Sequence, residues 1–496
     1  RRVGIEILIL RGLIPLKKNS KVGDPLSLVE WLEQRRRDNA GAPAILAPGR
    51  PALNYAGLYE QVCLTAAQLQ SLGFSHRDRL ALVLENGPEA ATASLAISAY
   101  AACAPLNPAY RSEEFSFYLA DLSAKALIMR KGSQFPATEA ARQLGIQVLE
   151  LIPGETAGTF RLSAGSNGPA GFAGGDDVAL LLHTSGTTSR PKLVPLTQRN
   201  LLASARNIAA SLSLEPGDRA LNIMPLFHVH GLVGALLASI QAAASVICTP
   251  GFQAALVPVW MREFSPTWYT AVPTMHQSIL AQARRDPAAA SGVRLRFIRS
   301  CSAPLAPALM GELESVFEAP VVEAYGMTEA AHQIASNPLP PRLRKPGSVG
   351  LPAGVQVAIL DENGRRLEPG ETGEVAICGP NVTPGYEANE AANLAAFSNG
   401  WFRTGDQGRF DPDGYLRLTG RLKELINRAG EKISPREIDE ALLEHPAVAQ
   451  ALAFAIPDPR LGEEVGAAVV LAPGAAVSAL DLQKFLTERL ADFKIP

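Results

Sequence analysis

The distribution of apolar and polar positions predicts a layered fold over the first part of the chain. From residue 26 to about residue 151, helical periodicity alternates with short apolar runs, a pattern typical of α/β layers. Similar runs bounded by turn residues continue further along the chain. We expect buried strands at residues 80–84, 126–129, 178–183, 220–224, 245–248, 268–272 and 296–300, and a loop at residues 164–175.

After Gly350 the pattern changes to shorter units. β-like runs at residues 355–360, 373–378 and 415–418 are separated by Gly, Pro, Asn and Asp, which predicts a β-rich subdomain. A final piece combines a predicted helix at residues 435–443 with a predicted strand at residues 465–470.

These patterns together predict an α/β fold with two unequal domains, as expected for a chain of 496 residues. The large N-terminal α/β domain comprises several subdomains, one of them β-rich, and the small C-terminal domain is α+β. The predicted segments are residues 1–25 (unassigned), 26–420 (large domain), 421–424 (short connection) and 425–496 (small domain, incomplete).

Composition and charge narrow the class of protein. About 47% of the residues are hydrophobic and 19% are charged, which is typical of a globular chain. The formal net charge of −2 argues against a nucleic-acid-binding protein, which would carry a basic excess. No apolar run reaches the roughly 18 residues that a membrane span requires. Residues 5–16 are interrupted by Glu6 and Arg11, so we do not interpret them as a signal peptide.

The cysteines indicate a reducing compartment. They are dispersed without a CxxC pair, which favours free thiols over a disulfide framework or a zinc site. The five positions are Cys63, Cys103, Cys248, Cys301 and Cys378. We therefore expect a cytoplasmic protein. The chain starts at Arg1 and stops at Pro496 in the middle of a pattern, so we expect a fragment, and a peroxisomal location stays open.

The segment after the predicted strand at 178–183 has the composition of a phosphate-binding loop. It consists of small hydroxyl residues around one Gly, whose N–H and O–H groups can converge on phosphate oxygens, and it ends in a Lys. It reads Thr184-Ser185-Gly186-Thr187-Thr188-Ser189-Arg190-Pro191-Lys192. The spacing of a Walker A loop is absent. Taken alone, a plain polar surface loop is an equally good interpretation.

Five further motifs follow in a fixed order. They are Pro225-Leu226-Phe227-His228, Ser302-Ala303-Pro304, Tyr325-Gly326-Met327-Thr328-Glu329, Trp401-Phe402-Arg403-Thr404-Gly405-Asp406 and Gly420-Arg421-Leu422-Lys423-Glu424. Together with the loop they resemble the adenylate-forming superfamily of acyl-CoA synthetases, 4-coumarate–CoA ligases and luciferases. The resemblance covers about residues 26 to 496. It departs from the usual pattern at Ser189 and Leu193, where the superfamily has Gly.

The resemblance implies an acid–thiol ligase that uses ATP, Mg²⁺ and coenzyme A through an acyl-adenylate. Two anions must meet during adenylation, so cations and donors have to face the developing charge. The implied nucleotide-binding residues are Thr184, Ser185, Gly186, Thr187, Thr188, Lys192, Ser302, Ala303, Pro304, Glu323, Ala324, Tyr325, Gly326, Thr328, Asp406 and Arg421. Within this set Tyr325 stacks on adenine, and Asp406 and Arg421 bind the ribose. Thr328 contacts the α-phosphate, and Glu329 helps to hold Mg²⁺.

The resemblance also implies two arrangements of the active site, one for each half-reaction. The small domain rotates about a hinge at Lys423, and Gly430 lines the tunnel for the pantetheine arm of coenzyme A. A simple turn is the alternative role for Gly430. The superfamily carries a further catalytic Lys beyond the position of Pro496, so we expect a chain ending there to adenylate poorly.

The positions that correspond to the acid pocket are unusually polar. His228, Ser302 and His332 fall there, and burying such groups without partners would cost on the order of 1–3 kcal/mol each. A small acid with a second carboxylate would satisfy them. These stretches and the runs at residues 297–303, 323–325, 336–340 and 424–428 resemble oxalate–CoA ligases, which implies that His228, Ser302 and His332 bind the distal carboxylate of oxalate.

Several alternatives remain open at this point. His228 has a second interpretation as a gate residue, and His332 as a histidine satisfied within a helix. The acid has malonate, another short-chain acid or a coumarate as alternatives. A non-catalytic nucleotide-binding fragment is the alternative from a different functional class.

Overall fold

The computed structural model describes residues 27–184, 191–286 and 292–496. The first part alternates helices and strands as the sequence predicts. Its elements are α1 (Leu28–Asn39), β1 (Pro43–Ala47), β2 (Arg50–Asn54), α2 (Tyr55–Ser71), β3 (Arg79–Val83), α3 (Pro88–Tyr100), β4 (Ala102–Pro105), α4 (Ser112–Asp121), β5 (Ala126–Arg130), α5 (Ala137–Gln143), β6 (Gln147–Pro153), β7 (Phe160–Leu162) and β8 (Val178–Thr184).

The middle part continues the alternation and includes one π-helix. Its elements are β9 (Lys192–Thr197), α6 (Gln198–Ser211), β10 (Arg219–Asn222), the π-helix (His230–Leu237), α7 (Ala238–Gln241), β11 (Ser245–Cys248), α8 (Val257–Phe264), β12 (Trp268–Ala271), α9 (Pro273–Arg285), β13 (Phe297–Ser300), α10 (Pro307–Phe317), β14 (Val321–Met327), a 3₁₀ turn (Thr328–Ala330), β15 (His332–Ser336) and β16 (Leu351–Pro352).

The last part contains mainly short strands. Its elements are β17 (Gln356–Leu360), β18 (Gly373–Cys378), α11 (Glu390–Ala396), β19 (Phe397–Ser398), β20 (Trp401–Phe410), β21 (Leu416–Arg421), β22 (Ile426–Arg428), β23 (Glu431–Ile433), α12 (Pro435–Leu443), β24 (Val448–Asp458), β25 (Gly462–Leu471), α13 (Ala479–Thr487) and a 3₁₀ turn (Asp492–Lys494).

Two large sheets form the core of the large domain. One has the order β7-β6-β5-β3-β4-β8-β9, and the other has the order β16-β15-β14-β13-β12-β10-β11-β1-β2. Their central strands are parallel, and antiparallel strands stand at the edges. Parallel sheets are buried on both faces, which explains why their strands appear in the sequence as continuous apolar runs.

The β-rich unit and the small domain are antiparallel. The former has the order β17-β18-β20-β19, with β21 paired to β20, and the latter has the order β23-β22-β25-β24. The predicted α/β class with a large and a small domain is therefore confirmed. The predicted strands all fall on observed ones, and residues 165–174 form no helix or strand. The domain boundaries at residues 420 and 425 stay a prediction, and residues 1–25 lie outside the described range.

Two further observations complete the fold. Among the helices that the structure describes, none combines the length and apolar character that a membrane crossing requires. In the same part of the chain all five cysteines are free thiols, as the sequence predicts.

Candidate active site

A cavity of about 660 Å³ lies where the carboxyl ends of β13 and β14 face the small domain. We call it the main cavity. Its wall includes most of the residues that the sequence predicts for nucleotide binding, although they come from distant parts of the chain. These are Ser302, Ala303, Pro304, Glu323, Ala324, Tyr325, Gly326, Asp406 and Arg421, with the predicted hinge residue Lys423 beside them.

The β20–β21 pair brings together the two residues predicted for the ribose. Asp406 and Arg421 are register partners, and the Arg421 Nε lies 3.0 Å from the Asp406 Oδ1. The other oxygen, Oδ2, accepts a hydrogen bond from the hydroxyl of Tyr325 at 2.5 Å. Burial raises the pKa of Asp406, while Tyr325 and Arg421 oppose that shift. Each carboxylate oxygen has two acceptor positions, so Asp406 retains capacity for ligand hydroxyls.

Glu323 presents an unsatisfied oxygen in the wall of this cavity. It is 2% exposed, and its Oε1 accepts a hydrogen bond from the Leu305 N–H at 3.2 Å. Its Oε2 is buried without a partner in the described structure. Burial raises the pKa of Glu323 to about 7. An unpaired buried acceptor is costly, so a ligand donor at this position would be stabilising.

Thr184 and Lys192 stand opposite each other where the β8–β9 hairpin begins, as register partners. The predicted loop residues Ser185, Gly186, Thr187 and Thr188 lie outside the described residues. The hairpin thus holds the two ends of the predicted phosphate loop, and the Lys192 side chain projects over Tyr386, with its Nζ 4.4 Å from the ring centroid.

Tyr386 links this lysine to the carboxylate predicted for the metal. Its hydroxyl donates to the Glu329 Oε1 at 2.8 Å. Burial raises the pKa of Glu329, while Tyr386 and Lys192 favour its charged form. Sequence reasoning missed Tyr386 because it lies 57 positions from Glu329. Thr328 stands next to Glu329 at the start of the 3₁₀ turn and is partly exposed.

The described residues contain no group of three or more His, Cys, Asp or Glu side chains placed to hold a metal ion. Glu329 offers one oxygen that Tyr386 does not use. Such a site suits Mg²⁺ only if phosphate oxygens and water supply the other ligands, which is how this ion is commonly bound.

A second group of polar residues adjoins the main cavity at Ser302. It consists of His230, Ser302 and His332, and we call it the histidine cluster. The Nδ1 of His230 lies 3.0 Å from the Ser302 Oγ, and its Nε2 lies 2.6 Å from the Thr270 Oγ1. The rings of His230 and His332 stack with centroids 5.1 Å apart. Only 3% of His230 and 2% of His332 are exposed.

The structure thus brings together Ser302 and His332 through His230, whereas His228 makes no hydrogen bond to any of the three in the described structure. His228 is exposed and packs against Phe227, with ring centroids 4.7 Å apart. The histidine two positions later, His230, begins the π-helix and points inward. Its position at the head of the apolar run His230–Leu237 was the sequence signal for burial.

The backbone at the cluster adopts uncommon conformations. Ser302 has a φ of 74° and His332 has a φ of 105°, both in the region that favours glycine. Such conformations cost about 1–3 kcal/mol each and persist where the surroundings hold them, which is typical of functional sites. Burial, followed by the charge of Arg299, lowers the pKa of both His230 and His332 well below the usual range. Both rings are therefore neutral at neutral pH.

Arg299 on β13 stands behind the cluster and is fully buried. Its Nη2 donates to the His332 Nε2 and to the Gln333 Oε1, both at 3.0 Å, and its Nη1 donates to the Thr270 Oγ1 at 3.4 Å. Sequence reasoning missed Arg299. The signal was a lone charge inside an apolar strand, which is rare unless the charge is paired or functional.

Gly430 lies elsewhere in this structure. It occupies the turn between β22 and β23 with a φ of 94°, and a Cβ added there would meet open space. It does not line the main cavity, whereas Lys423 does. The predicted roles of Gly430 in the pantetheine tunnel and of Lys423 as the hinge stay predictions.

Comparisons with known proteins agree with this geometry. The sequence pattern of the AMP-binding enzymes matches residues 32–387, and that of the AMP-binding enzyme C-terminal domain matches residues 437–496. The oxalate–CoA ligase of Arabidopsis thaliana is 47% identical over 464 residues, which cover 91% of this chain and 90% of that protein. The oxalate–CoA ligase of Saccharomyces cerevisiae is 45% identical over 452 residues, covering 85% and 82%.

A solved structure with a similar fold is that of the O-succinylbenzoate coenzyme A synthetase from Bacillus subtilis in complex with ATP and magnesium ion. Its TM-score is 0.81 at 30% identity, and the alignment covers 94% of each chain. The match with the family pattern extends over most of the chain and includes β13 and β14 beside the main cavity and all residues of the histidine cluster. The chain belongs to the AMP-binding enzyme family.

Proposed function

We propose that this protein ligates oxalate to coenzyme A at the expense of ATP, through an oxalyl-adenylate and with release of AMP and pyrophosphate. The observation that carries the proposal is the buried histidine cluster next to the main cavity, with a guanidinium behind it. Relatives at 45% and 47% identity are named oxalate–CoA ligases, which supports the same substrate.

The cluster favours a small acid with a second carboxylate over a fatty or aryl acid. An apolar chain would offer no acceptor to the Ser302 hydroxyl or to the second ring nitrogen of His332, at roughly 1–3 kcal/mol each. A carboxylate accepts hydrogen bonds only and can satisfy several donors at once. Oxalate carries its second carboxylate directly next to the first, which suits a binding position beside Ser302 in the wall of the main cavity.

We propose that the main cavity binds ATP. The unpaired Oε2 of Glu323 would accept from the amino group of adenine, Tyr325 would stack on the ring, and Asp406 would accept from the ribose hydroxyls. Thr184, Lys192 and residues 185–188 would hold the phosphates. Glu329 would hold Mg²⁺ through its free oxygen, and the ion would neutralise phosphate charge.

The proposed chemistry has two displacements. One carboxylate oxygen of oxalate forms a bond to the α-phosphorus of ATP, and pyrophosphate leaves with the electron pair of the broken P–O bond. The sulfur of coenzyme A then forms a bond to the acyl carbon, the thiol proton goes to solvent, and AMP leaves. Lys192 and Arg421 both favour the charged form of Glu329, so they would place positive charge near the phosphates, and positive charge there stabilises such transition states.

The proposal is tested by pyrophosphate release from ATP and coenzyme A, measured on the full-length gene product with a panel of acids. We expect kcat/KM for oxalate to exceed that for malonate, succinate, acetate and 4-coumarate by at least about 30-fold, or roughly 2 kcal/mol. A clear preference for malonate or 4-coumarate would replace oxalate as the substrate. The absence of pyrophosphate release with every acid in the panel would favour a non-catalytic nucleotide-binding protein.

A further inference from the structure

Arg299 is a buried cation with no acid beside it. It is 0% exposed, and its partners in the described structure are Thr270, His332 and Gln333, all of them neutral. Its Nε is buried without any partner. An isolated charge away from water is strongly unfavourable unless an opposite charge approaches it. The interior around the histidine cluster therefore carries a positive charge that the described protein groups do not neutralise.

The hydrogen bonds around Arg299 have a fixed direction, because a guanidinium only donates. Its Nη2 donates to the His332 Nε2 at 3.0 Å, so that nitrogen holds the lone pair. In a neutral imidazole the proton then resides on Nδ1. The structure gives this Nδ1 no partner among the described residues, so the N–H is available to a ligand.

A second chain of donors starts at the same guanidinium. The Nη1 of Arg299 donates to the Thr270 hydroxyl, which lies 2.6 Å from the His230 Nε2. Arg299 occupies one lone pair of the Thr270 oxygen, and among the described residues the His230 Nε2 is the acceptor within reach of the Thr270 proton, so Thr270 donates to that nitrogen. His230 then carries its proton on Nδ1 and donates to the Ser302 Oγ at 3.0 Å. The Ser302 hydroxyl is left to donate its proton towards the main cavity.

We propose that Arg299 is a positioning residue that makes this enzyme selective for acids with a second carboxylate. It fixes the direction of both hydrogen-bond chains, so that His332 and Ser302 each end in a donor, and it supplies the positive charge behind them. A distal carboxylate matches both these donors and the positive charge, whereas a distal hydroxyl accepts without carrying a charge, and an ammonium or methyl group accepts nothing. The inference rests on the proposed ligase function and names the residue that sets its substrate class.

The neutral state of the histidines is part of this arrangement. The charged and titratable groups that face His332 are Arg299 on β13 and His230 on the π-helix, and His230 also faces His228 and His276. All of these are bases, so none of them stabilises an imidazolium. Protonation of His332 would also remove the lone pair that accepts from Arg299.

The test compares oxalate with glycolate, which has a hydroxyl in place of the second carboxylate. Turnover places the only carboxylate of glycolate at the reacting position, so its hydroxyl has to face the cluster. In the full-length protein we expect Arg299→Met to lower kcat/KM for oxalate about 100-fold, mainly through KM. For glycolate and for the KM of ATP we expect changes of less than about threefold.

Two further variants serve as controls for Arg299→Met. Arg299→Lys keeps the positive charge but loses the planar set of N–H donors of the guanidinium, so we expect an intermediate loss of about 10-fold in kcat/KM for oxalate. Gln333→Leu removes another acceptor of Arg299 that belongs to neither chain, and we expect the oxalate-to-glycolate ratio to change by less than about threefold. If Arg299→Met does not fold, the ratio measured with Arg299→Lys decides.

Equal losses for oxalate and glycolate, or a matching rise in the KM of ATP, would overturn the inference and make Arg299 a purely structural residue. A wild-type protein that prefers malonate would refute only the proposed oxalate substrate. In that case the same variants are measured with malonate against 3-hydroxypropanoate. Loss of the dicarboxylate preference in Arg299→Met then still supports the role of Arg299, and its retention contradicts it.

Discussion

The main cavity and the histidine cluster adjoin at Ser302, yet they are built in opposite ways. The main cavity has charged groups at its rim, among them the Arg421 side chain, which is 57% exposed, and its wall includes residues of the small domain. The two histidines of the histidine cluster are buried within the large domain, with exposure of at most 3%, and the cluster reaches the main cavity through Ser302. The open region suits a ligand that every member of the family shares, and the closed one suits discrimination between acids.

This difference makes a general prediction. Changes in the main cavity should lower turnover with every acid by the same factor, because ATP is common to all reactions. Changes in the histidine cluster should alter the ratio between acids and leave the KM of ATP nearly unchanged.

The largest effect is expected for Asp406→Ala. The substitution removes the acceptor for the ribose, and it leaves the Tyr325 hydroxyl and Arg421 without their partner. We expect kcat/KM for ATP to fall about 1,000-fold with an unchanged preference among acids. Asp413→Ala, at an exposed carboxylate that pairs with Lys345, is the control and should change kcat/KM less than about twofold. A shift in the preference among acids in Asp406→Ala would contradict the separate roles of the main cavity and the histidine cluster.

A smaller but selective effect is expected for His230→Ala. The substitution interrupts the chain from Thr270 to Ser302, so kcat/KM for oxalate should fall about 100-fold through KM. His228→Ala is the matched variant, because the sequence predicts that residue for the substrate and the structure leaves it outside the cluster. We expect the loss of kcat/KM for oxalate in His228→Ala to be at least about tenfold smaller than in His230→Ala. The reverse order would restore His228 as the residue that recognises the acid.

A loss of about tenfold in kcat is expected for Tyr386→Phe, because its hydroxyl no longer donates to Glu329. The requirement for Mg²⁺ should shift to higher concentration, and the acid preference should stay constant. Tyr415→Phe offers a close control, since the Lys345 Nζ also lies 4.4 Å from the Tyr415 ring centroid, and the Tyr415 hydroxyl donates to the Leu343 carbonyl and not to Glu329. Equal kcat values for the two variants would show that the Tyr386–Glu329 bond is unimportant.

The smallest effect concerns stability against pH. Burial raises the pKa of Glu323 to about 7, so the folded state binds this proton more tightly than the unfolded state. Stability is then fully present below the unfolded pKa near 4.5 and is lost as pH rises through about 7, by on the order of 3 kcal/mol. Without ATP, the melting temperature of Glu323→Gln relative to wild type should therefore rise by a few degrees between about pH 5 and about pH 8. A constant difference would contradict the buried, unpaired carboxylate.

The sequence predicts the main cavity better than the histidine cluster, for a physical reason. Each nucleotide-binding motif is contiguous, so Ser302-Ala303-Pro304 and the residues around Tyr325 can be recognised one segment at a time. The strands that carry them are short apolar runs, and the bounds of Ser245–Cys248 and Gly373–Cys378 agree with the structure. The pattern did not predict β14 as a strand, because Gly326 and the following polar residues are typical of turns.

The cluster could not be predicted in full, because its members meet only through the sheet. Thr270 and His332 lie 29 and 33 positions from Arg299 in sequence, and both contact it. The parallel register of β12 with β13 places Thr270 directly opposite Arg299. The sequence predicts His228 for the acid pocket and does not single out His230, whose burial follows from the inward turn at the start of the π-helix.

Direct competition between acids tests most simply whether the histidine cluster selects oxalate. The full-length protein is given ATP, coenzyme A and an equimolar mixture of oxalate, malonate, succinate, acetate and 4-coumarate, and the thioesters are identified by mass. Oxalyl-CoA should be the dominant product from the wild type and should lose that dominance in Arg299→Met. A different dominant thioester from the wild type, or an unchanged product distribution in the variant, would contradict selection of oxalate by the cluster.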